Sequence, residues 1–425
     1  MKDAPDHQQG SEPRRVIGVW RHRDFAIFMG GLTPAAISSW MHRVGVGWLA
    51  WELTESTVWL GAVAAADLAP ILLLSPLAGA LSDRMSALTL VRITQWLQFA
   101  QAAALAACMA AGVLSIELLF ALTLALGVIH AYSSAGRHAL VPLTVPREMV
   151  ATAISLDSAF FQASRFIGPA IAALVIPVWG VFGAFSAHAA GTFFFALAMH
   201  AMAQPQRAAA HRGARNMLQD VAEAVGYVRG HAGVFPLMIM LAAASLAVRP
   251  LQDMLPGFAD DVYGAGASGL AWLTSAMGAG AMASATWVAI HGRTGGLTNM
   301  CFLGGALTSL SMIGFVGSDH FPLGLAFAAV SAYGLNTLST SVQALVQSRV
   351  EDRLRGRVMS LYTLIYRGLP AAGALGFGAL AEWIGLRWTF ALAGAACLLA
   401  CALLLPYRKT MIAALETRRA RETEA

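Results

Sequence analysis

Positive charge in this chain falls almost entirely into alternate gaps between about a dozen apolar stretches, each long enough to cross a bilayer. Basic residues gather before the first stretch (Lys2, Arg14, Arg15, Arg21, Arg23), then at Arg84, at Arg137 and Arg147, and from Arg207 to Arg229. They return at Arg293, between Arg349 and Arg357, and in the tail from Arg408 to Arg421. The intervening gaps carry acids instead, at Glu52, Glu55, Glu117, Asp260, Asp261 and Asp319, with Arg387 the exception. Cytoplasmic loops of membrane proteins hold the excess of Lys and Arg. The alternation therefore predicts a multi-pass protein of the cytoplasmic membrane, with both termini and the long middle loop on the cytoplasmic side. A chain that is 57% apolar and 12% charged, with a mean hydropathy of +0.63, lies outside the range of soluble domains. Its net charge of +5 is what loops facing anionic membrane lipid produce, and it gives no argument for nucleic acid as a partner.

One crossing needs about 20 apolar residues. That length places helices over 25–50, 57–81, 88–111, 117–138, 150–177, 181–203, 234–258, 269–290, 298–317, 321–347, 358–381 and 388–406. The segment between them at 204–233 is different, with Pro205, several arginines and a short amphipathic pattern at Leu218, Val221, Val225 and Val228. The expected organisation is a tail (1–24), a six-helix bundle (25–203), a cytoplasmic loop (204–233), a second six-helix bundle (234–406) and a second tail (407–425). The first apolar run is too long for a signal-peptide core, so no cleaved targeting segment is expected. Cys108, Cys301, Cys397 and Cys401 fall inside apolar stretches without metal-ligand spacing. They read as packing or lipid-facing residues, and neither metal nor cofactor is expected.

The two halves resemble each other. Val145-Pro146-Arg147-Glu148-Met149 leads into Ala153-Ile154-Ser155-Leu156, and Val350-Glu351-Asp352-Arg353-Leu354 leads into Val358-Met359-Ser360-Leu361, an offset of about 205 residues. Each string precedes the fifth helix of its half. A similar offset sets Asp83-Arg84 opposite Gly292-Arg293, after each half's second helix. Six-helix repeats of this kind put a substrate site near the bilayer midplane, between halves that rock about it.

Gly79-Ala80-Leu81-Ser82-Asp83-Arg84 resembles the first part of the signature of the major facilitator superfamily. Trp40-Met41-His42-Arg43, the run from Trp48 to Thr54, Pro76-Leu77-Ala78-Gly79 and Arg355-Gly356-Arg357-Val358-Met359-Ser360-Leu361 resemble its bacterial exporter branch, which includes macrolide-efflux and enterobactin-export proteins. The resemblance covers nearly the whole chain and implies an all-α fold of twelve transmembrane helices in two six-helix bundles. It also implies a cytoplasmic gate at Gly79, Asp83 and Arg84; Arg137 and the start of the eleventh helix near Arg357 are the candidate partners of Asp83. Glycine there would let helices approach closely, and a rim carboxylate would accept hydrogen bonds from a helix amino end or pair with an arginine. Where the family signature continues with a basic pair, this chain has Ala87 and Leu88. Ser164, Gly168 and Pro169 in the fifth helix resemble the small-residue Gly-Pro motif of proton-coupled antiporters and imply export. Plain helix packing would use the same residues.

Ionisable groups inside apolar spans are costly and by default face a partner or a wet cavity. Arg43 lies about 18 residues into the first helix, about 27 Å from its cytoplasmic edge at 1.5 Å per residue. Asp67 lies at a similar depth on the second helix, which predicts an Arg43–Asp67 interaction. Arg249 and Asp253 stand four apart on one helical face, a spacing at which they can pair. Asp67, Asp253 and, third, Asp157 are the candidates for carrying a coupling proton, the alternative being permanent structural ion pairs. Arg43, Arg165, Arg249 and Arg367 outnumber these acids in the expected interior, which favours an anionic or zwitterionic substrate. His42, His130, His188 and His200 read as helix–helix hydrogen-bonding groups.

Trp40, Trp48, Trp51 and Trp59 fit an interfacial aromatic belt. Tyr333, Asn336 and Gln343 share one face of the tenth helix, as a cavity wall or as interhelical hydrogen-bonding groups. No phosphate-binding glycine loop, metal-spaced cluster or nucleophile elbow appears in the sequence, so it does not read as an enzyme. The expected function is secondary active export of a small amphipathic organic molecule, by a monomer among membrane lipids and with protons as the coupling ion. A lysolipid flippase of the same fold and a non-transporting receptor are the alternatives.

Overall fold

The computed structural model describes residues 17–203, 217–291 and 296–416, and every regular element among them is a helix. The first four are α1 (Arg23–Thr54), α2 (Thr57–Arg84), α3 (Ala87–Ala110) and α4 (Ile116–Leu140). The last three of these start at serines. Ser56, Ser86 and Ser115 each accept a hydrogen bond from the backbone N–H three residues on, satisfying a donor the helix itself leaves free. The helical run Val150–His200 holds Gly180 at φ 62° and ψ −170°, a backbone conformation that glycine alone adopts freely. The chain breaks there into α5 (150–179) and α6 (181–200), within the gap the hydropathy leaves between 177 and 181.

The second half follows α7 (Met217–Gly230) and contains α8 (Val234–Gly257), α9 (Gly266–His291), α10 (Leu297–Gly317) and α11 (Phe321–Arg349). α12 (Asp352–Thr363) and α13 (Leu369–Ile384) are joined by one π-helical turn, Leu364–Gly368, and act as a single crossing. α14 (Leu386–Leu404) and the short α15 (Arg408–Leu415) end the described chain. Eight helical segments are long and apolar enough to cross a membrane, and one of them, Arg147–His200, has 54 residues, enough for two crossings. α1, α3 and α9, of 32, 24 and 26 residues, are also long enough to cross, and with them the described helices are consistent with twelve crossings.

The repeat legible in the sequence is also a repeat of packing. In the first half α1 packs on α5 and α6, α2 on α4, and α3 on α4 and α6. In the second half α8 packs on α13 and α14, α9 on α11, and α10 on α11 and α14. The halves meet mainly through α2 against α13 and α5 against α9, which are equivalent pairs under the repeat. Glycines allow the closest of these approaches. A Cβ on Gly278 of α9 would come within 2.8 Å of the Arg165 carbonyl oxygen of α5.

Candidate functional site

α1 carries Arg43 to the boundary between the halves. Its guanidinium donates from Nη1 to Asp67 Oδ2 on α2 at 2.8 Å and from Nη2 to Asp253 Oδ1 on α8 at 3.3 Å. One cation thus ties a carboxylate of its own half to a carboxylate of the other. His130 Nδ1 on α4 stands 3.5 Å from the remaining Asp67 oxygen. The two acids are well covered, with side chains 16% and 12% exposed, whereas Arg43 is 42% exposed. Asp67 is fixed by tight packing of α4 on α2, since a Cβ on Gly127 would meet the Asp67 carbonyl oxygen at 2.8 Å. Behind Arg43, buried His42 stacks on His188 with ring centroids 4.7 Å apart, and Ser38 Oγ lies 3.4 Å from His188 Nδ1, joining α1 to α6. His200 instead accepts from Trp96 Nε1 at 2.9 Å.

A second group of cations continues from this bridge. Arg165 on α5 lies over the Trp40 ring, 5.6 Å from its centroid, and donates a long 3.5 Å hydrogen bond to Gln252 Oε1 of α8. Arg249, one turn before Gln252, rests on the Tyr366 ring at 4.4 Å. Tyr366 and Arg367 belong to the π-turn Leu364–Gly368, which re-aims side chains within a helix. Tyr366 stacks on Tyr362 at 5.8 Å. Arg165, Gln252, Asn336 and Tyr366 line one pocket together with Val248 and Leu335. Ser164, Gly168 and Pro169 are buried below Arg165, where a Cβ on Gly168 would sit 2.5 Å from the Trp40 Cβ on α1. Pro169 has no N–H for the Arg165 carbonyl, so the helix ladder is open where the arginine sits.

The structure departs from the sequence reading at several residues. Arg249 does not pair with Asp253: the acid turns to Arg43 across the interface and the arginine to Tyr366. Trp51 and Trp40 are not belt residues. Trp51 is 3% exposed and donates from Nε1 to Asp260 Oδ2 of the other half at 2.9 Å, while Trp40 lies beneath two arginines. At Gly79 a Cβ would meet nothing within 4 Å among the described residues. The side chain of Asp83 lies outside the described residues. Arg137 stands 5.5 Å from the Phe161 ring with a buried Nε that has no hydrogen-bond partner. Asp157 is buried with Oδ1 unpartnered and lies near His138, away from the Arg43 bridge. Asn336 donates to the Ala281 carbonyl at 3.2 Å and also lines the pocket, so both readings of its face hold; Tyr333 and Gln343 on the same helix are half-buried.

The two ends of the bundle differ. At the end holding the α1–α2 turn, Glu382 Oε2 of α13 accepts from Thr57 N at 3.1 Å, Thr57 Oγ1 at 3.0 Å and Ser56 Oγ at 3.3 Å. A carboxylate of one half thereby caps the amino end of a helix in the other, where the helix dipole favours it. Asp319 pairs with Arg387 there, which holds its carboxyl below the usual range and neutralises the one cation out of sequence pattern. At the opposite end Glu416 accepts from Gly296 N at 2.7 Å and Thr298 N at 2.9 Å, and Glu223 pairs with Arg357.

A charged polar site enclosed between two pseudo-equivalent six-helix bundles defines a multi-pass membrane carrier. The chain belongs to the transmembrane secretion effector family of the major facilitator superfamily, whose sequence model matches residues 19–422, and it is therefore a transporter rather than an enzyme. It is 26% identical over 380 residues to the staphyloferrin A transporter of Staphylococcus aureus, covering 87% of this chain and 90% of that one. It is 24% identical over 396 residues to an uncharacterized transporter of the same superfamily from Bacillus subtilis, covering 86% and 88%. Among solved structures it resembles a peptide transporter (TM-score 0.73, 13% identity, covering 92% of this chain and 95% of that one). It also resembles a bacterial homologue of the human lysosomal transporter Spinster in an inward-facing, unoccupied state (TM-score 0.71, 12% identity, covering 96% and 100%).

Proposed function

We propose that this protein exports a small organic anion from the cytoplasm in exchange for protons. The observation that carries this reading is the Arg43 bridge, in which one guanidinium holds Asp67 of its own half and Asp253 of the other. Rocking the halves apart at this end breaks the contact to Asp253 and keeps the contact to Asp67, because α1, α2 and α4 move together. Asp253 is then a carboxylate without a cation in a poorly hydrated site and takes up a proton from the side that has opened. Return of Arg43 expels the proton to the other side. The run of Arg165, Arg249 and Arg367, with few acids beside it, supports an anionic cargo. Family membership supports outward transport, and likeness to the staphyloferrin A transporter supports a siderophore-type metabolite. One chain supplies both halves of the site, so the monomer is the working unit. In inverted vesicles with an acidic interior, the purified protein should accumulate such an anion, and a protonophore should abolish the accumulation. Accumulation indifferent to the pH gradient overturns proton exchange.

We also assign the end bearing Arg349, Arg357 and Arg408 to the cytoplasm, following the distribution of basic residues. A reporter active only in the cytoplasm should be active when fused after Arg215 or Arg421 and silent when fused near Asp260. Silence at either basic site overturns the orientation.

A further inference from the structure

The arginines of the central site are not equivalent. Arg43 has two carboxylates within hydrogen-bonding distance. Among the described residues Arg165 and Arg249 have none: the hydrogen bond of Arg165 is the 3.5 Å contact with neutral Gln252, and Arg249 Nε is buried without a partner. Each of these two guanidiniums stands over an aromatic ring, Arg165 5.6 Å from the Trp40 centroid of the first half and Arg249 4.4 Å from the Tyr366 centroid of the second. A cation–π contact leaves a guanidinium with N–H donors that can still bind a ligand. Arg165 lines a pocket together with Tyr366, the ring on which Arg249 rests, so the two cations lie near each other where like charges are poorly screened. Their arrangement is costly without an anion and becomes favourable with one.

Each guanidinium fork takes a carboxylate edge-on through two parallel hydrogen bonds. Trp40 and Tyr366 lie on different helices of different halves and fix the two forks separately, so one carboxylate cannot satisfy both in this way. We infer, building on the transport reading above, that the substrate carries at least two carboxylates, one held by Arg165 and the other by Arg249. Gln252, between them, is left to hydrogen-bond the neutral polar atoms that join the two acids. Binding then links the halves through the substrate itself, and removal of either arginine reduces a two-point ligand to a one-point ligand.

The test is calorimetric titration of the purified protein with propane-1,2,3-tricarboxylate, glutarate and butyrate, in the wild type and in Arg165→Gln and Arg249→Gln. The wild type should bind the tricarboxylate and glutarate at least about tenfold more tightly than butyrate, the gain expected of a second charge-assisted fork. That preference should fall to within about threefold in each variant, as for a single remaining fork. Arg165→Lys and Arg249→Lys, which keep the charge and lose the fork, should fall between the two and serve where a glutamine variant does not fold. Equal binding of all three acids by the wild type, or binding of none, overturns the inference, as does a preference that survives in either glutamine variant. These titrations need neither a proton gradient nor a direction of transport. A two-carboxylate preference without transport in vesicles would leave the clamp standing and refute the exporter reading instead.

Discussion

Asp253→Asn is expected to abolish accumulation driven by a pH gradient while leaving downhill exchange of substrate nearly intact. In this variant Arg43 keeps Asp67 at 2.8 Å, so no buried cation is orphaned and the amount of folded protein in the membrane should change little. What disappears is the carboxylate that gains and loses its cation as the halves rock. Exchange of substrate for substrate needs no net proton movement, since a ligand biases states only through its own differential binding. Concentrative transport should fall about tenfold or more, and exchange should stay within about twofold, a tenfold loss corresponding to about 1.4 kcal/mol of coupling. Asp67→Asn should behave differently. Arg43 and His130 both face Asp67 within one half, so its loss leaves Arg43 to Asp253 alone and leaves no acid partner when the halves part. Reduced protein in the membrane is the expected result there. Gradient-driven accumulation that survives in Asp253→Asn refutes the assignment of the proton to this residue.

The contrast between these two acids was only partly legible in the sequence. Helix positions follow from apolar run length and the break at Gly180 from the gap in hydropathy, because burial in lipid dictates composition directly. The Arg43–Asp67 contact follows from depth, since counting residues from a membrane edge fixes height along each helix. Depth fixes height and says nothing of azimuth or of the register between halves. Asp253 could therefore be matched to Arg249 four residues away, whereas in the fold it reaches the arginine of the other half. The same lack hid the Trp51–Asp260 hydrogen bond and the capping of α2 by Glu382. Tyr366 escaped notice because the π-turn that presents it is a local change of helical register that hydropathy does not see. Its one signal is Pro370, four residues on, which has no N–H to offer the Tyr366 carbonyl and so loosens the ladder at that point. The charge balance was readable: more arginines than acids in the spans, with Asp67 and Asp253 both drawn to Arg43.

Arg43→Gln should be the most damaging single substitution at the site. It leaves Asp67 and Asp253, only 16% and 12% exposed, without the guanidinium that joins them, His130 near Asp67 and Arg249 one turn from Asp253 making no ion pair that replaces it, and it removes the only ion pair in the described structure that joins the two halves at this depth. Breaking a buried pair by removing one partner costs about 3–5 kcal/mol, and the lower end applies because Arg43 itself is 42% exposed. Against a net stability of about 5–15 kcal/mol, a loss of that size should lower membrane abundance severalfold. The damage arises from uncompensated charge and not from lost volume, so it should be reversible by neutralising the acids. The triple variant Arg43→Gln, Asp67→Asn, Asp253→Asn should regain most of the wild-type abundance, measured by fluorescence-detected gel filtration, and should not accumulate substrate under a pH gradient. If Arg43→Gln alone is as abundant as the wild type, the bridge contributes little to folding. If the triple variant stays as scarce as the single one, Arg43 acts through its packing on Trp40 and not through its charge.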